Sequence, residues 1–538
     1  MAIRTILIAN RGEIAVRIAR TCRELGIATV AVQAPDDEGA FHLRHCDTVV
    51  DVPSYLDAEA IAAAAHKSGA DAVHPGYGFL SERADAARAV EAAGVIWIGP
   101  PPAVLEQAGD KLQAKAIAAS AGIPVLPQGD PATVGYPLLL KATAGGGGRG
   151  MRIVHMPDEL DQAQAAAAHE AEAAFGDGRL YAERLIERPR HVEIQLLADA
   201  YGGVISLGER DCSIQRRHQK VLEESPSPIV DGALRERLTS AALAFARAVD
   251  YRGAGTAEFL VDGDDIWFLE LNARIQVEHP VTELVTGIDL IAAQIAISDG
   301  GRVPDAVVCA GHAIELRLYA EDPISFLPRV GNLRRLVLPD GVRIDRGIAE
   351  GDNVPTSYDP MIAKLIAGGP TRNDALQSLT MALAEIRVEG VVTNLPFLRW
   401  LVRQPEVRDG TATTAFLDEN PPLSVRRRPT GVFGKRWRLG PLSTTPCLPV
   451  PQTPERSRSG RADDGRLIAP MPGIVLELPV DVGAHVEAGD TIAVLEAMKM
   501  EHRLTAVTAG TVQEIAVTTG AFVDAGALIA SFVPDPTL

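Results

Sequence analysis

A repeat of 37 residues near the C-terminus most restricts what this 538-residue chain can fold into. Three glycines of the first copy, Gly473, Gly483 and Gly489, recur 37 positions later as Gly510, Gly520 and Gly526. The residues between them recur as well: Val475, Glu477, Val480, Val486, Ala488 and Ile492 match Val512, Glu514, Val517, Val523, Ala525 and Ile529. Because apolar residues often alternate with polar ones and the glycines mark turns, each copy should form a small meander of strands. Two such copies predict a compact all-β sandwich with two-fold symmetry.

The connection between the two copies carries an unusual lysine. It reads Glu496-Ala497-Met498-Lys499-Met500-Glu501, and the symmetry places it on a hairpin turn with Lys499 at the tip. Most lysines taken singly are surface residues without a chemical role. A lysine between two methionines on an exposed turn has little packing reason to exist, so this pattern indicates a specific role for Lys499.

The N-terminal part of the chain alternates between strand and helix patterns. Short buried-strand patterns occur at residues 5–9, 28–32, 70–73 and 95–98, with helical segments between them. This alternation predicts a parallel sheet wrapped by helices, an α/β doubly wound domain. The turn after the first strand contains only Gly12, not the three glycines of the dinucleotide fingerprint, so nucleotide binding at this turn is disfavoured.

A run of glycines follows a later strand. Residues 138–141 read as a strand that ends in Lys141, and Gly145 to Gly148 are four successive glycines followed by Arg149. The backbone N–H groups of such a loop can wrap phosphates, although a flexible linker has the same composition. A Walker loop places its lysine after the glycines, whereas Lys141 precedes them, so that motif is excluded.

The segment from Glu258 to Glu278 is the most informative part of the chain. Two strand patterns flank a turn, and a loop of residues 263–265 would place Glu258 opposite Glu270 on one face of a hairpin. Strand parity then adds Asn272, Arg274, Gln276 and Glu278 to the same face. Carboxylate and amide oxygens are hard ligands that suit Mg²⁺ together with substrate phosphates. A solvated strand face would alternate in the same way, but opposed carboxylates favour a neutralising cation.

Composition excludes several classes of function. The chain has 52 Lys and Arg against 70 Asp and Glu, and the resulting net charge of −18 argues against a nucleic-acid partner. Its five scattered cysteines form no CxxC pair, which argues against a disulfide framework or a cysteine-rich zinc site. We find neither a run of about 18 apolar residues nor a signal peptide, so we expect a cytoplasmic protein without a membrane partner.

A basic segment separates the repeat from the rest of the chain. Residues 421–462 contain eight prolines and nine Lys or Arg against one acidic residue, Glu455. This composition is typical of an extended, solvated tether between domains. A basic tract can also contact nucleic acid, but few aromatic residues are interleaved here, so the tether is favoured.

Several ordered motifs carry a family resemblance. They are Ile8 to Ala15 (Ile-Ala-Asn-Arg-Gly-Glu-Ile-Ala), His74 to Glu82, Glu209 to Lys220 and Ala497 to Met500. With Lys141, the glycine run and the acidic hairpin, they resemble biotin carboxylase, an ATP-grasp ligase, joined to a biotin carboxyl carrier domain. A lipoyl carrier is similar, but its lysine usually follows Asp rather than Met. The resemblance runs from residue 3 to about 420 and resumes at 467.

The resemblance implies five parts. They are an α/β doubly wound N-terminal domain (1–110), an ATP-grasp domain with a glycine-rich lid (111–313), an α+β C-terminal biotin carboxylase domain (314–420), the linker (421–462) and a small all-β biotinyl, lipoyl-like domain (463–538). Two departures stand out. The segment from Ile123 to Tyr136 is short, so a helix before Lys141 should be missing, and Arg184 follows Glu183 where the family commonly has lysine.

The resemblance also implies the roles of individual residues. ATP, a substrate, would contact Lys111, Lys141, Gly147, Gly148, Glu183, Arg184, Leu185, Ile186, His191, Gln215 and His218. Mg²⁺ (or Mn²⁺) would be held by Glu258, Glu270 and Asn272. Bicarbonate would contact Lys220, Arg274 and Val277, with Glu278 as the base that deprotonates it. Biotin would contact Tyr77 and Arg317, Arg317 would stabilise its enolate, and Lys499 would carry biotin covalently. Lys220, Arg274, Glu278 and Arg317 would be the catalytic residues.

The acceptor of the carboxyl group is less constrained. No segment is left for a carboxyltransferase, so we expect a carboxyltransferase β-subunit as partner, with this chain as the α-subunit of an acetyl- or propionyl-CoA carboxylase. A biotin protein ligase and a homo-oligomer within the complex are further expected partners. The alternatives are a subunit for pyruvate or urea, another ATP-grasp ligase with a carrier appendage, and a non-catalytic biotin carrier scaffold.

Overall fold

A computed structural model describes most of the chain. The described residues are 2–143, 151–175, 177–216, 219–355, 357–421, 466–471, 473–497, 500–506, 508–524 and 526–534. The predicted linker, apart from Pro421, lies outside them. So do four residues predicted to belong to the site, Gly147, Gly148, His218 and Lys499.

The N-terminal region is a five-stranded parallel sheet covered by helices, as predicted. The strands follow the order β3-β2-β1-β4-β5. Edge strand β3 was not predicted, because its side chains are largely exposed and give no buried-strand pattern. The elements are β1 (Thr5–Ile8), α1 (Gly12–Glu24), β2 (Ala28–Gln33), β3 (Thr48–Asp51), α2 (Ala58–Ser68), β4 (Ala72–His74), α3 (Ala84–Ala92), β5 (Ile96–Trp97), α4 (Pro102–Gly109) and α5 (Lys111–Ser120).

A small antiparallel subdomain follows and carries Lys141. Its strands have the order β6-β9-β7-β8 and pack around a separate apolar core that includes Leu138 and Leu140. The elements are β6 (Gln128–Gly129), α6 (Pro131–Val134), β7 (Leu138–Ala142), β8 (Arg152–Val154), α7 (Leu160–Phe175) and β9 (Leu180–Arg184). The short segment before Lys141 holds β6 and one helix, α6, of four residues. We call residues 128–184 the lid subdomain.

The next region builds the strands that hold the candidate site. They are β10 (Arg190–Ala198), β11 (Val204–Arg216), β12 (Gln219–Ser225), β13 (Gly253–Asp262) and β14 (Asp265–Asn272). The helices of this region are α8 (Gly232–Ala248), α9 (His279–Thr286) and α10 (Leu290–Ser298). Phe245 of α8 stacks on Phe268 of β14 with ring centroids 4.6 Å apart, so the helix fixes the outer hairpin against the core.

The β13–β14 hairpin has the predicted pairing but not the predicted loop. Asp262 pairs with Asp265, so the loop contains two residues rather than three, and Gly263 has the positive φ of +57° that such a turn requires. A bulge at Leu269 then shifts the register by one residue and places Glu258 opposite Glu270. The pairing of the two carboxylates is therefore confirmed by a different route.

The C-terminal part of the core continues the same sheet. Its elements are β15 (His312–Tyr319), β16 (Gly331–Asn332), β17 (Arg335–Val337), β18 (Arg343–Arg346), β19 (Asn353–Val354), β20 (Met361–Gly369), α11 (Arg372–Glu385), β21 (Arg387–Glu389), α12 (Leu395–Leu401), α13 (Pro405–Arg408) and α14 (Phe416–Glu419). Strand β15 pairs with β12, which gives one eight-stranded antiparallel sheet of order β14-β13-β10-β11-β12-β15-β20-β18. The predicted boundary at residue 313 thus separates strands of a single sheet.

The repeat forms two four-stranded antiparallel sheets around a common apolar core, as the two-fold pattern predicts. The sheet orders are β22-β29-β27-β24 and β26-β25-β23-β28. The strands are β22 (Arg466–Ile468), β23 (Gly473–Glu477), β24 (His485–Val486), β25 (Thr491–Ala497), β26 (Met500–Thr505), β27 (Gly510–Ile515), β28 (Phe522–Val523) and β29 (Leu528–Pro534). Ala497 pairs with Met500, so the strands flanking Lys499 are adjacent in one sheet.

Within the described ranges, no single helix has the length and apolar character needed to cross a membrane. One bent pair, α9 with α10 at 92°, meets those criteria on length and composition alone.

Candidate active site

A buried arginine that sequence reasoning missed forms the floor of the site. Arg210 on β11 is fully buried and donates to Glu193 Oε1 at 2.5 Å and to Gln276 Oε1 at 3.0 Å. Its other acceptors are Gln195, Thr256 and Thr282. Because a buried guanidinium is costly unless its donors are paired, this network fixes Glu193 and Gln276 in position. Arg210 lies within the motif Glu209 to Lys220, but the sequence does not show which arginine of that motif is buried.

Lys220 lies at the centre of the site. Its Nζ donates to Glu193 Oε2 at 2.5 Å, to Glu258 Oε1 at 2.8 Å and to Glu278 Oε1 at 2.7 Å. Burial alone would lower the pKa of Lys220, but these three carboxylates outweigh it and raise the pKa well above its usual value. Lys220 is therefore a fixed positive charge that contacts carboxylates from three separate segments of the chain. Of these, Glu193 was not among the predicted site residues.

Glu278 is held as an anion between two cations. Besides Lys220, it accepts a hydrogen bond from Arg317 Nη2 at 3.0 Å through its other oxygen, Oε2. Burial favours the protonated acid, but the charges of Lys220 and Arg317 outweigh burial and lower the pKa of Glu278. Loss of either cation would therefore raise the pKa of Glu278 and make its carboxylate a stronger base.

Arg317 also contacts a second carboxylate. Its Nη2 lies 2.5 Å from Glu223 Oε1. Burial first, and then the charge of Glu278, raise the pKa of Glu223 to about 7 against the opposing charge of Arg317. Across β12 and β15, Glu223 lies opposite Glu315, which is fully buried and whose pKa is raised well above its usual value by burial. We call Glu223 and Glu315 the acid pair.

The predicted metal ligands share one end of the β13–β14 hairpin. Glu258 and Glu270 are paired in register, and Asn272 Nδ2 donates to Glu258 Oε1 at 2.9 Å. His191 Nε2 lies 3.1 Å from Glu258 Oε2, and Lys111 Nζ lies 4.0 Å from Glu270 Oε2. Protein cations thus balance both carboxylates. The two carboxylates and the amide oxygen form a hard-oxygen donor set that fits a divalent cation such as Mg²⁺.

A second group of lysines surrounds Glu183 at the lid. Glu183 is almost fully buried and contacts both Lys141 and Lys115. Burial, together with neighbouring lysine charges, lowers the pKa of Lys141 to about 8 and that of Lys115 to about 7. Lys115 was not predicted as a site residue, and its place on α5 gives no motif that would reveal it. Because one carboxylate serves two lysines, this group has a surplus of positive charge where ATP phosphates are expected.

Two further predicted ATP residues contact each other. Gln215 Nε2 lies 3.0 Å from His191 Nδ1. Burial would lower the pKa of His191, but the carboxylate of Glu258 outweighs it and raises that pKa. His191 therefore links the metal end of the hairpin to Gln215. Arg184 ends β9 on the exposed surface, and Leu185 and Ile186 follow it, half-buried, in the connection to β10.

Tyr77 is brought close to the site by the contact of two N-terminal motifs. Asn10 Nδ2 donates to the carbonyl of Tyr77 at 2.8 Å, and a Cβ on Gly76 would lie 2.9 Å from the same nitrogen, so only glycine permits this approach. The Tyr77 hydroxyl donates to Glu13. Lys364 lies 3.2 Å from Glu13 and donates to the Val277 carbonyl at 2.6 Å. Tyr77 and Val277 are thus connected through Glu13 and Lys364, neither of which was predicted.

The segment that carries Arg274, Gln276, Val277 and Glu278 is not a strand. Strand β14 ends at Asn272, so the prediction that strand parity continues to Glu278 is wrong. The chain instead turns into α9, whose second residue is Pro280. Gln276 and Glu278 nevertheless reach the site, because Gln276 donates to Glu258 at 3.0 Å and Glu278 contacts Lys220. Arg274 lies 3.0 Å from Glu82, another residue that was not predicted.

Comparisons with known proteins identify the family. Family models match in chain order: the biotin carboxylase N-terminal domain over residues 2–105, the ATP binding domain of the carbamoyl-phosphate synthase L chain over 108–306, the biotin carboxylase C-terminal domain over 315–419 and the biotin-requiring enzyme model over 465–532. A biotin carboxylase of Halalkalibacterium halodurans is 47% identical over 448 residues, which are 79% of this chain and 99% of that protein. The chain belongs to the biotin carboxylase family. Its ATP-grasp core and biotinyl domain are therefore those expected from the sequence.

Two other similar proteins carry different acceptors in their names. The propionyl-CoA carboxylase alpha chain of Ruegeria pomeroyi is 45% identical over 462 residues, 78% of this chain and 68% of that protein. The biotin carboxylase domain of the Hydrogenobacter thermophilus 2-oxoglutarate carboxylase, solved with MgADP, ADP and bicarbonate, is 41% identical. That structure superposes with a TM-score of 0.76 and covers 78% of this chain and 98% of the other. The family is thus shared by carboxylases with chemically different acceptors.

Proposed function

We propose that this chain transfers the carboxyl group of bicarbonate to biotin attached to its own Lys499 and cleaves ATP to ADP and phosphate in the process. The observation that carries the proposal is the position of Lys220, which contacts Glu193, Glu258 and Glu278 at 2.5, 2.8 and 2.7 Å. These contacts place a candidate base, a candidate metal ligand and a permanent cation within one small, buried volume. Activation of a small anion by ATP requires such a volume.

Glu278 acts as the base in this proposal. Bicarbonate is a poor electrophile, so its oxygen must attack the γ-phosphorus of ATP, which releases ADP and leaves carboxyphosphate. Lys220 and Arg274 bind the bicarbonate oxygens, and Glu278 accepts the proton that bicarbonate loses. When Lys220 turns from Glu278 to the substrate anion, the carboxylate loses one of the two cations that hold its pKa low.

The metal site is formed by Glu258, Glu270 and Asn272. A bound Mg²⁺ would neutralise charge that develops on the phosphate oxygens during transfer. Lys111 and His191, which now balance the two carboxylates, are predicted ATP ligands. They can therefore turn from the hairpin to the nucleotide when metal and ATP arrive together.

Biotin binds beside Arg317 and Tyr77. Arg317 is already fixed between Glu278 and Glu223, so its guanidinium is directed towards the base that handles bicarbonate. A guanidinium here stabilises the negative charge that develops on the ureido oxygen of biotin. The Tyr77 hydroxyl is engaged by Glu13, which orients the ring.

The acceptor that we propose is an acyl-CoA, acetyl- or propionyl-CoA, with a separate carboxyltransferase subunit. The resemblance to the Ruegeria pomeroyi propionyl-CoA carboxylase alpha chain, which extends over 78% of this chain, supports it. The resemblance to a 2-oxoglutarate carboxylase domain supports a non-CoA acceptor in its place. A biotin protein ligase would attach biotin to Lys499, and we propose that the chain assembles as a homo-oligomer within the complex.

The test uses the full chain, co-expressed with a biotin protein ligase and purified. With ATP, Mg²⁺ and labelled bicarbonate, label should appear on the protein at Lys499. Labelled acyl-CoA should appear only after the carboxyltransferase subunit is added. Carboxylation of an acyl-CoA by the pure single chain would contradict the two-subunit proposal, and the absence of bicarbonate-dependent ATP cleavage would favour the non-catalytic carrier.

Two variants examine the attachment site itself. Lys499→Ala should abolish biotin attachment, detected by streptavidin blot, because no other amine is predicted to replace it. Lys499→Arg should fail equally, since a guanidinium that stays protonated is too weak a nucleophile to be acylated. In both variants the carboxylase core should still cleave ATP when free biotin is added. A positive blot in either variant would show that biotin is attached elsewhere.

A further inference from the structure

A cavity of about 330 Å³ opens at the C-terminal end of helix α11, and none of its lining residues belongs to the candidate active site. It lies between α11 and α12. Three arginines line it together with four apolar or small residues: Arg387, Arg399, Arg403, Thr380, Leu383, Ala384 and Val402. None of the lining residues, all of which the structure describes, is acidic.

Two of the three guanidinium groups converge on one backbone oxygen. Arg387 Nη1 donates to the Ile386 carbonyl at 2.8 Å, and Arg399 Nη2 donates to the same oxygen at 3.1 Å. Arg399 also donates twice to the Leu383 carbonyl, at 2.9 and 2.7 Å. These bonds complete the open carbonyls at the end of α11, which is a common role for arginine. They also hold two like charges close together, which capping alone does not require.

The third guanidinium is not explained by capping. Arg403 follows Arg399 by about one helical turn and makes no side-chain hydrogen bond or ion pair within the part of the chain that the structure describes. Burial first, and then the charges of Arg387 and Arg403, lower the pKa of Arg399. The cavity therefore collects positive charge without protein carboxylates, in a chain whose net charge is −18.

We propose that Arg387, Arg399 and Arg403 form a binding site for a phosphorylated small molecule. A phosphoryl group brings about two negative charges and several acceptor oxygens, and guanidinium groups match this geometry with paired hydrogen bonds. Leu383 and Val402 supply an apolar wall for the less polar part of the ligand. A cavity of about 300 Å³ or more is large enough for a small ligand rather than for an isolated ion.

The test measures binding of inorganic pyrophosphate to the full chain by calorimetry. A non-hydrolysable ATP analogue and Mg²⁺ are present at saturation throughout, so that all three phosphate positions of the ATP site are occupied. The parent protein should bind pyrophosphate under these conditions. Arg403→Gln should weaken binding about tenfold or more, because it removes charge-assisted hydrogen bonds. This variant should fold normally, since Arg403 makes no side-chain hydrogen bond to the described protein.

A matched control and two outcomes decide the proposal. Arg335→Gln removes an exposed arginine of the same region, whose charge is paired with Glu389 at 3.3 Å, and should leave pyrophosphate affinity unchanged. Failure of the parent protein, saturated with the ATP analogue, to bind pyrophosphate would overturn the proposal. Equal affinity in Arg403→Gln and the parent would overturn it as well, because binding would then lie elsewhere. Both outcomes are independent of whether the chain carboxylates biotin.

Discussion

The two lysine groups of the active site differ in how their charge is balanced. Lys220 contacts three carboxylates, and together they raise its pKa well above the usual value despite burial. Lys141 and Lys115 share the single carboxylate of Glu183, and burial with neighbouring lysine charges lowers the pKa of both. The pKa of Lys220 is thus above the ordinary value for lysine, and the pKa values of Lys141 and Lys115 are below it.

This difference matches the substrates that we assign to each group. In our proposal, the carboxylates around Lys220 supply the base and one metal ligand, and only a small anion such as bicarbonate needs to enter. An excess of lysine around Glu183 is incomplete until the phosphates of ATP bring negative charge. A charged substrate can therefore bind in two ways. It can take the place of a protein carboxylate that contacts a lysine, or it can supply negative charge that the protein lacks.

The largest expected effect comes from removing the base on the carboxylate-rich side. Glu278→Gln should lower bicarbonate-dependent ATP cleavage about 10²- to 10⁴-fold, because general-base catalysis is lost. ATP binding should remain nearly intact, since Glu278 contacts Lys220 and Arg317 rather than the lid lysines. Steady-state kinetics, with nucleotide binding measured separately, distinguish the two effects.

Glu270→Gln is the matched control for that variant. It removes a carboxylate of the β13–β14 hairpin that lies near Lys111 rather than Lys220. We expect it to raise the Mg²⁺ concentration needed for half-maximal activity, because a hard ligand is lost. If both variants showed the parent's Mg²⁺ dependence, the division into base and metal ligands would be wrong.

A smaller and more selective effect is expected on the lysine-rich side. Lys141→Gln should raise the KM for ATP about tenfold to a hundredfold, the usual range for losing a charged hydrogen-bond partner. The KM for bicarbonate should not change, because Lys141 belongs to the lid and contacts Glu183 rather than Glu278. Lys67→Gln, at an exposed position on α2, is the control. A parallel rise in both KM values would show that the two lysine groups act as one.

Part of the candidate site could be predicted from sequence motifs, and the rest depends on contacts between residues that are far apart in the sequence. Lys220, Glu258 and Glu278 were predicted because strand alternation and family motifs mark them. Glu193 was not, because it lies on a strand that is buried along its whole length, so its alternation of polar and apolar residues does not show which face meets the site. Its function depends on Arg210, which comes from the neighbouring strand.

The register of the β13–β14 hairpin could also be predicted only in part. The acidic turn suggested a loop of residues 263–265, but Asp262 pairs with Asp265 and the bulge at Leu269 restores the predicted carboxylate pairing. No local signal distinguishes a three-residue loop from a two-residue loop with a bulge, because both place Glu258 opposite Glu270. The path beyond Asn272 also depends on tertiary packing, since an alternating pattern fits a strand as well as a turn into a helix.

The acid pair differs from both lysine groups, because burial raises the pKa of its two carboxyl groups more than the nearby cations lower it. The pKa of Glu315 is raised by burial, so the folded protein keeps a proton there that the unfolded chain releases above about pH 4.5. The stability that this proton contributes is present below the unfolded pKa and is lost as pH rises towards the folded one. Between the two values, Glu315 alone should lower the stability of the parent by up to about 1.4 kcal/mol for each pH unit. Glu315→Gln has no carboxyl group to ionise, so its unfolding free energy should fall less between pH 5.5 and 7.5 than the parent's.

The control is Glu236→Gln, at an exposed position, which should follow the parent. Denaturant unfolding at both pH values measures the difference, and identical slopes for Glu315→Gln and the parent would show that Glu315 is ionised in the folded protein.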